Sequence, residues 1–520
     1  MESATTLKTE TIRINAVVIL LVGIVILAAA LRFYDLGGES YWIDEVTMLQ
    51  VTQSPLESIL GSEFLEHGRP PAYVLLGYAW TRVFGTGEIA ARSLSAVLGV
   101  AGVLVLFAVG RELFNERIGL IAALLMSLSV FQVFHSQDYR YYALVGLTTL
   151  LSYYFFARFL KYNARTPDLI LYAIFSALII YSHPYGVFAV VAQGLYFILQ
   201  WRRYRSIWQR WLLSQLLFGV LAAMPILLVA RSFVGGGETE RSTPTDWIIK
   251  PTLTTPLGTL FNFLVYSRSY VRLSALALAG GVAGFGTLFF VGRSGLSNWL
   301  SEIRLLPKDL RLDFSGQFGG VLLAVLWLSV PIGAAFILSL LVTPMYLDRY
   351  LMSAAPALYL LLAVVIVAGR RVVPEGASLA GLIVLMGSAL AVYYPTDIKE
   401  QWRDTAAYVT QNATSNNAIA IFDAILPEVS EDSLRTFDWY YSGDSPYCPL
   451  NLTLNNPALL EAIQQCGRTS GRIWLAIRGD NPERINDLTT FLEQNPAVRL
   501  RVTAVLKPKG IGLYLLEFEA

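Results

Sequence analysis

Two adjacent carboxylates, Asp44 and Glu45, follow the aromatic pair Tyr41-Trp42 shortly after the first apolar run of the chain. A carboxylate held near a desolvated pocket can take a proton from an attacking hydroxyl, so the pair offers a general base. The same residues also suit a solvated loop end beside an interfacial tryptophan. A second acid lies in Ser136-Gln137-Asp138-Tyr139-Arg140-Tyr141-Tyr142. Arg140 has the planar fork that grips a phosphate, and tyrosines such as Tyr139 suit a sugar or a headgroup. On residue types alone this segment reads equally as a capping turn in an aromatic belt. Tyr346-Leu347-Asp348-Arg349-Tyr350 repeats the acid–arginine–tyrosine chemistry, and the three histidines are His67, His135 and His183. Ionisable groups beside apolar segments are costly and usually mark function. A single histidine in a turn such as His183-Pro184-Tyr185-Gly186 is more often structural than catalytic.

The elements that must position these residues are membrane helices. Of 520 residues, 55% are hydrophobic and 15% charged, against about a quarter charged in soluble domains. Apolar runs near 20 residues recur up to about residue 394, and they lack the period-2 alternation of a barrel. The runs fall at about 14–31, 93–110, 118–135, 141–160, 169–182, 185–201, 211–230, 273–292, 319–342, 351–369 and 377–394, about eleven spans. The first is too long for a cleaved signal and reads as a signal anchor. The stretch 71–85 is short, contains Arg82 and reads as interfacial or re-entrant. With the N-terminus inside, the cytoplasmic segments carry sixteen Lys and Arg, which the positive-inside rule favours. Asp44, Glu45, His67, Asp138 and His183 then lie on the extracytoplasmic face, as does residue 395 onward. The outer loop 231–271, with Gly235-Gly236-Gly237, reads either as a lid or as a connector. A net charge of +1 gives no reason to invoke nucleic acid.

Residues 395–520 are polar and alternate strand-like runs (418–422, 472–477, 500–506, 511–517) with helical patterns (402–411, 457–465, 482–493). A small extracytoplasmic α/β domain is expected. Its Cys448 and Cys466 are the chain's only cysteines, and an oxidising location favours a disulfide. Trp439-Tyr440-Tyr441 reads as ordinary core or surface aromatics rather than a sugar platform.

Together the motifs resemble a family. Trp42-Ile43-Asp44-Glu45, His67-Gly68-Arg69-Pro70-Pro71-Ala72-Tyr73, Ala91-Arg92-Ser93-Leu94-Ser95-Ala96, Gly110-Arg111-Glu112-Leu113-Phe114, Ser136-Gln137-Asp138-Tyr139-Arg140-Tyr141 and Asp348-Arg349-Tyr350 occur in order across about 14–411. Their pattern is similar to that of the GT-C membrane glycosyltransferases, the broad group around the protein O-mannosyltransferases and the lipid A aminoarabinose transferase. The resemblance implies an all-α polytopic GT-C domain over 1–394, with a catalytic acid in the outer loop 32–91, and the α/β domain over 395–520. It implies transfer of a sugar from a polyprenyl-phosphate donor to an acceptor hydroxyl on a glycan, lipid or protein, with inversion. The proposed base maps onto Asp44, with Glu45 beside it, and the second acid onto Asp138. Arg140, Arg349 and Arg69 would bind donor phosphate; His67, Tyr139, His183 and Tyr346 would line the substrate site. His67 departs from the family pattern, because Gly68-Arg69 intervene before the proline pair. Some relatives hold a divalent metal, and Asp44, Glu45 and His183 have the donor atoms for one, although their spacing does not demand it.

Two rivals stand beside this reading. A transporter or flippase for lipid-linked glycans would place its charges near the bilayer midplane, often with internal repeats, and no repeat is evident. A non-catalytic assembly protein would tolerate loss of Asp44.

Overall fold

The structure is a computed structural model and describes residues 2–66, 70–234, 248–266, 317–369, 374–423, 430–448, 461, 463–466, 470–479, 490, 500–506 and 510–518. The chain divides into two units. The first comprises Met1–Tyr34, Ser54–Gly85 and Ala90–Pro395; the second comprises Asp35–Gln53, Thr86–Ile89 and Thr396–Ala520.

The first unit is helical. Among the described residues, Ala16–Phe33, Glu88–Leu113, Tyr142–Lys161, Gly319–Leu341 and Glu375–Tyr393 are long and apolar enough to cross a membrane. Thr166–Ser182, Pro184–Leu199, Thr255–Val265 and Ala355–Ala368 are shorter apolar helices. The protein is an integral, multi-pass membrane protein. The run expected at 273–292 and the hinge Gly235-Gly236-Gly237 lie outside the described residues. The stretch 71–85 forms the helix Pro71–Phe84, opened by a proline whose missing N–H costs nothing in a first turn.

The run expected at 118–135 is not one straight span. Asn115 starts the helix Glu116–Leu128 by accepting from the Ile118 amide at 3.0 Å. Ser129 then accepts from the Gln132 amide at 3.2 Å and starts a second helix, Val130–Ser136, bent by 63° from the first. A break inside a membrane frees backbone groups that must find partners. The buried Arg32 guanidinium supplies them, donating to Met126 O at 3.2 Å, Ser127 O at 3.4 Å and Ser136 Oγ at 3.2 Å. A cation at helix C-terminal carbonyls also complements the helix dipole. Gln137 caps in return: its Nε2 donates to Arg32 O at 3.3 Å and Tyr34 O at 2.7 Å, at the end of the first helix. Tyr393 holds the Gln137 Oε1 at 2.6 Å. These bonds fix where the chain enters Asp138-Tyr139-Arg140. Close backbone contact fixes the neighbouring crossing, because a Cβ on Gly110 would stand 2.6 Å from Gly119 Cα.

The second unit contains a five-stranded sheet of β1 (Asn417–Asp423), β2 (Tyr447–Cys448), β3 (Arg472–Arg478), β4 (Leu500–Leu506) and β5 (Ile511–Phe518), in the order β2-β1-β3-β5-β4. β1 pairs in parallel with β2 and β3; β5 pairs antiparallel with β3 and β4. Alternation divides the strands between two cores. Ala418, Ala420, Phe422, Ile473, Leu475 and Ile477 face one side. Ile419, Ile421, Trp474 and Ala476 face the other, against Trp402, Ala406 and Val409 of the helix Trp402–Asn412 and Phe437 of the helix Ser430–Asp438. A disulfide joins Cys448 to Cys466. The helix expected at 482–493 falls almost wholly outside the described residues.

Candidate active site

In the first unit the structure gathers His183, Arg140 and Arg349 with three tyrosines. The helix Thr166–Ser182 ends at His183, whose Nδ1 accepts from the Tyr185 amide at 3.2 Å. That bond leaves the neutral ring's proton on Nε2, so His183 can donate from that side. The His183 ring lies 5.0 Å from Tyr141, 4.9 Å from Tyr350 and 5.1 Å from Tyr185, centroid to centroid. Arg140 reaches over Tyr141 with Cζ 4.9 Å from the ring centroid, and Arg349 over Tyr350 at 5.7 Å. Burial, then the charges of Arg140 and Arg349, push the His183 pKa down to about 3. Burial disfavours any charge there, but the two arginine charges favour an anion, and two guanidinium forks beside an N–H donor suit a phosphate.

Each arginine is held by its neighbours in sequence. Tyr139 is fully buried, with its ring 5.4 Å from that of Tyr73. Tyr73 shares a hydrogen bond of 2.7 Å with Ser95, and Ser95 Oγ donates to Arg140 O at 3.3 Å. The Arg140 amide donates to Asp138 O at 2.7 Å, and the Asp138 side chain is buried. On the other arm, the buried Asp348 carboxylate accepts from Thr259 Oγ1 at 2.7 Å and Asn262 Nδ2 at 2.6 Å. Tyr346 bonds the same Thr259 hydroxyl at 2.8 Å, and burial pushes its phenol up to about 12. Tyr185 donates to Met345 O at 2.7 Å. Thus Tyr139 and Tyr346 serve as inward anchors, and Arg140 and Arg349 stand beside His183.

In the second unit, Asp44 and Glu45 occupy the first turn of the helix Ile43–Gln53, where acids favour the N-terminal dipole. Their environments differ. Glu45 is fully buried; its Oε2 accepts from the Trp42 amide at 3.4 Å and pairs with Lys399 Nζ at 3.0 Å. Asp44 is half-buried. The loop before them is strapped down: Tyr440 Oη accepts from the Tyr41 amide at 2.7 Å and donates to Glu88 Oε1 at 2.9 Å. Arg403 donates to Gly38 O at 2.6 Å and to Glu88 Oε1 at 3.2 Å. Tyr440 therefore acts as a strut.

His67 and Arg69 lie outside the described residues. Among the described residues no three His, Cys, Asp or Glu side chains come together to hold a metal ion, and Glu45 is committed to Lys399. Sequence reasoning gave no role to Lys399, Arg32 and Thr259, nor to Gln137 within its motif. Two left a signal, a lysine six residues past the helix Glu375–Tyr393 and an arginine in the last turn of an apolar one.

Residues 68–229 match the family "Dolichyl-phosphate-mannose-protein mannosyltransferase". No protein of curated function matches the chain by sequence. The crystal structure of ArnT from Cupriavidus metallidurans in the apo state superposes with a TM-score of 0.51 at 13% identity, covering 97% of this chain and 98% of that one. The chain has the GT-C fold. ArnT from the same organism bound to undecaprenyl phosphate gives a TM-score of 0.48 at 13% identity over 96% and 97% of the chains. AglB, the archaeal oligosaccharyltransferase from Archaeoglobus fulgidus in complex with an inhibitory peptide and a dolichol-phosphate, gives 0.48 at 14% identity over 96% and 74%. Within this GT-C chain the family match spans Asp138, Arg140 and His183, but not Asp44 or Arg349.

Proposed function

We propose that this protein transfers a sugar from a polyprenyl-phosphate-linked donor to an acceptor hydroxyl, with inversion, on the extracytoplasmic face of a cell membrane. The observation that carries the reading is the pair Arg140 and Arg349 beside neutral His183. In such a transfer the bond between the anomeric carbon and the phosphate oxygen breaks, and the leaving group is a phosphate. Fixed cations stabilise that charge without supplying a proton, and His183 Nε2–H adds a neutral donor. The acceptor hydroxyl has a high pKa and needs a base; Asp44 takes its proton as the new glycosidic bond forms. Glu45 acts through Lys399, holding the turn that carries Asp44. The GT-C fold and the family match over 68–229 support the assignment. The acceptor is a glycan, lipid or protein hydroxyl.

Binding of undecaprenyl phosphate to the purified chain tests the carrying observation. Arg140→Ala and Arg349→Ala should each weaken binding roughly 10- to 100-fold, the cost of one charge-assisted contact. Wild-type affinity in both variants would overturn the phosphate assignment.

A further inference from the structure

The helix Tyr142–Lys161 begins beside the cation cluster and ends about 30 Å away, twenty residues at ~1.5 Å each. At that far end lies a cavity of about 590 Å³. Lys161, Arg203, Tyr196 and Tyr204 line it together with Glu112 and the apolar Leu323. Lys161 Nζ sits 3.0 Å from the buried carboxylate of Glu112, so these two charges offset each other. Arg203 then supplies the net positive charge. The hydroxyls of Tyr196 and Tyr204 share a hydrogen bond of 3.5 Å, which leaves one of the two O–H groups as a further donor.

The wall is preformed. Asn163, which lines the cavity, and Ala164 hold left-handed backbone at φ 52° and 57°, a conformation asparagine adopts readily but alanine keeps only when its surroundings impose it. Here they do: Ala164 is fully buried, its amide donates to Phe159 O at 2.8 Å, and its carbonyl accepts from Arg210 at 2.7 Å.

We propose that this cavity binds the phosphate headgroup of an anionic membrane phospholipid. One net cation and a hydroxyl donor beside it match a phosphate, and basic pockets between membrane helices take acidic headgroups. Free phosphate offers the same charge, but the cavity is several times larger than that ion and part of its lining, Leu160, Ile207 and Leu323, is apolar. By the positive-inside rule this end, with Arg202, Arg203, Arg205 and Arg210, is the cytoplasmic one, where anionic lipids are within reach. The site is separate from the transfer chemistry proposed above.

The test titrates the full-length protein in detergent with dihexanoylphosphatidylglycerol, followed by native mass spectrometry. Dihexanoylphosphatidylcholine and inorganic phosphate serve as competitors, and a melting curve verifies each variant's fold. One phosphatidylglycerol should bind per chain. Arg203→Ala should weaken it roughly tenfold or more, while Arg205→Ala, an exposed arginine outside the cavity, should leave it unchanged. Ser206→Trp, which fills the cavity and alters no charge, should abolish binding. Equal losses in Arg203→Ala and Arg205→Ala would overturn the proposal, as would wild-type binding by a folded Ser206→Trp. So would equal binding of phosphatidylcholine, or full displacement by inorganic phosphate at the lipid's own concentration.

Discussion

Lys399 Nζ lies 3.0 Å from Glu45 Oε2, and both side chains are buried, although 354 residues separate them. Of two adjacent carboxylates, one is thereby committed to a structural ion pair and the other is left half-buried. Removing one partner strands a buried charge. Lys399→Met or Glu45→Gln alone should destabilise the second unit by about 3–5 kcal/mol, and the double variant should recover most of that loss. Thermal melts of the three variants check this; additive losses would contradict the pairing.

His183 yields a pH prediction. Its pKa falls from 6.5 to about 3 on folding, so between those values the unfolded chain binds a proton that the folded chain does not. Stability is therefore unaffected at pH 7 and is lost as the pH falls through 6.5 toward 3. At pH 5 the loss is about 2 kcal/mol, from 1.5 units at 1.36 kcal/mol each. A folded His183→Gln variant should show a correspondingly flatter decline in melting temperature from pH 7 to 5; an unchanged decline would remove His183 as its source.

Thr259 donates to Asp348 and bonds Tyr346, so it holds the segment that ends in Arg349. Thr259→Val should cost about 1–3 kcal/mol by leaving the buried Asp348 carboxylate short of a donor and the Tyr346 hydroxyl short of an acceptor. It should also weaken undecaprenyl phosphate binding, because Arg349 loses its support. A stability loss with unchanged binding would separate the anchor from the site.

Much of the molecule was legible in the sequence because each signal was local. The apolar runs of β1, β3, β4 and β5 stand where the strands are, and the acid–arginine–tyrosine motifs gave Arg140 and Arg349 with their stacking tyrosines. What could not be read depends on partners far along the chain. The bend at Ser129 carries neither proline nor glycine; it persists because Arg32 satisfies the carbonyls it frees. Asp44 and Glu45 are alike in sequence, yet Glu45 is buried against the distant Lys399 and Asp44 is half-buried. Tyr139 and Arg140 are adjacent, yet one is buried against Tyr73 and the other reaches over Tyr141. β2 is two residues long, too short for any periodicity to mark.

The orientation has its own test. Arg205→Cys and Asp444→Cys, both exposed positions, should react with an impermeant maleimide from opposite sides of the membrane. Cys448 and Cys466 are joined to each other and should not compete for label. Labelling of both positions from one side would refute the assigned topology.

The central claim, sugar transfer with Asp44 as base, is tested most directly by incubating the purified protein with a panel of polyprenyl-phosphate sugars and candidate acceptors. The measurement is acceptor-dependent loss of donor by wild type and by Asp44→Asn. One donor should be consumed only when its acceptor is present, and Asp44→Asn should slow that loss by about 10²- to 10⁴-fold while still binding undecaprenyl phosphate. Transfer that proceeds unchanged in Asp44→Asn, or a wild-type protein that consumes no donor across the panel, would contradict it.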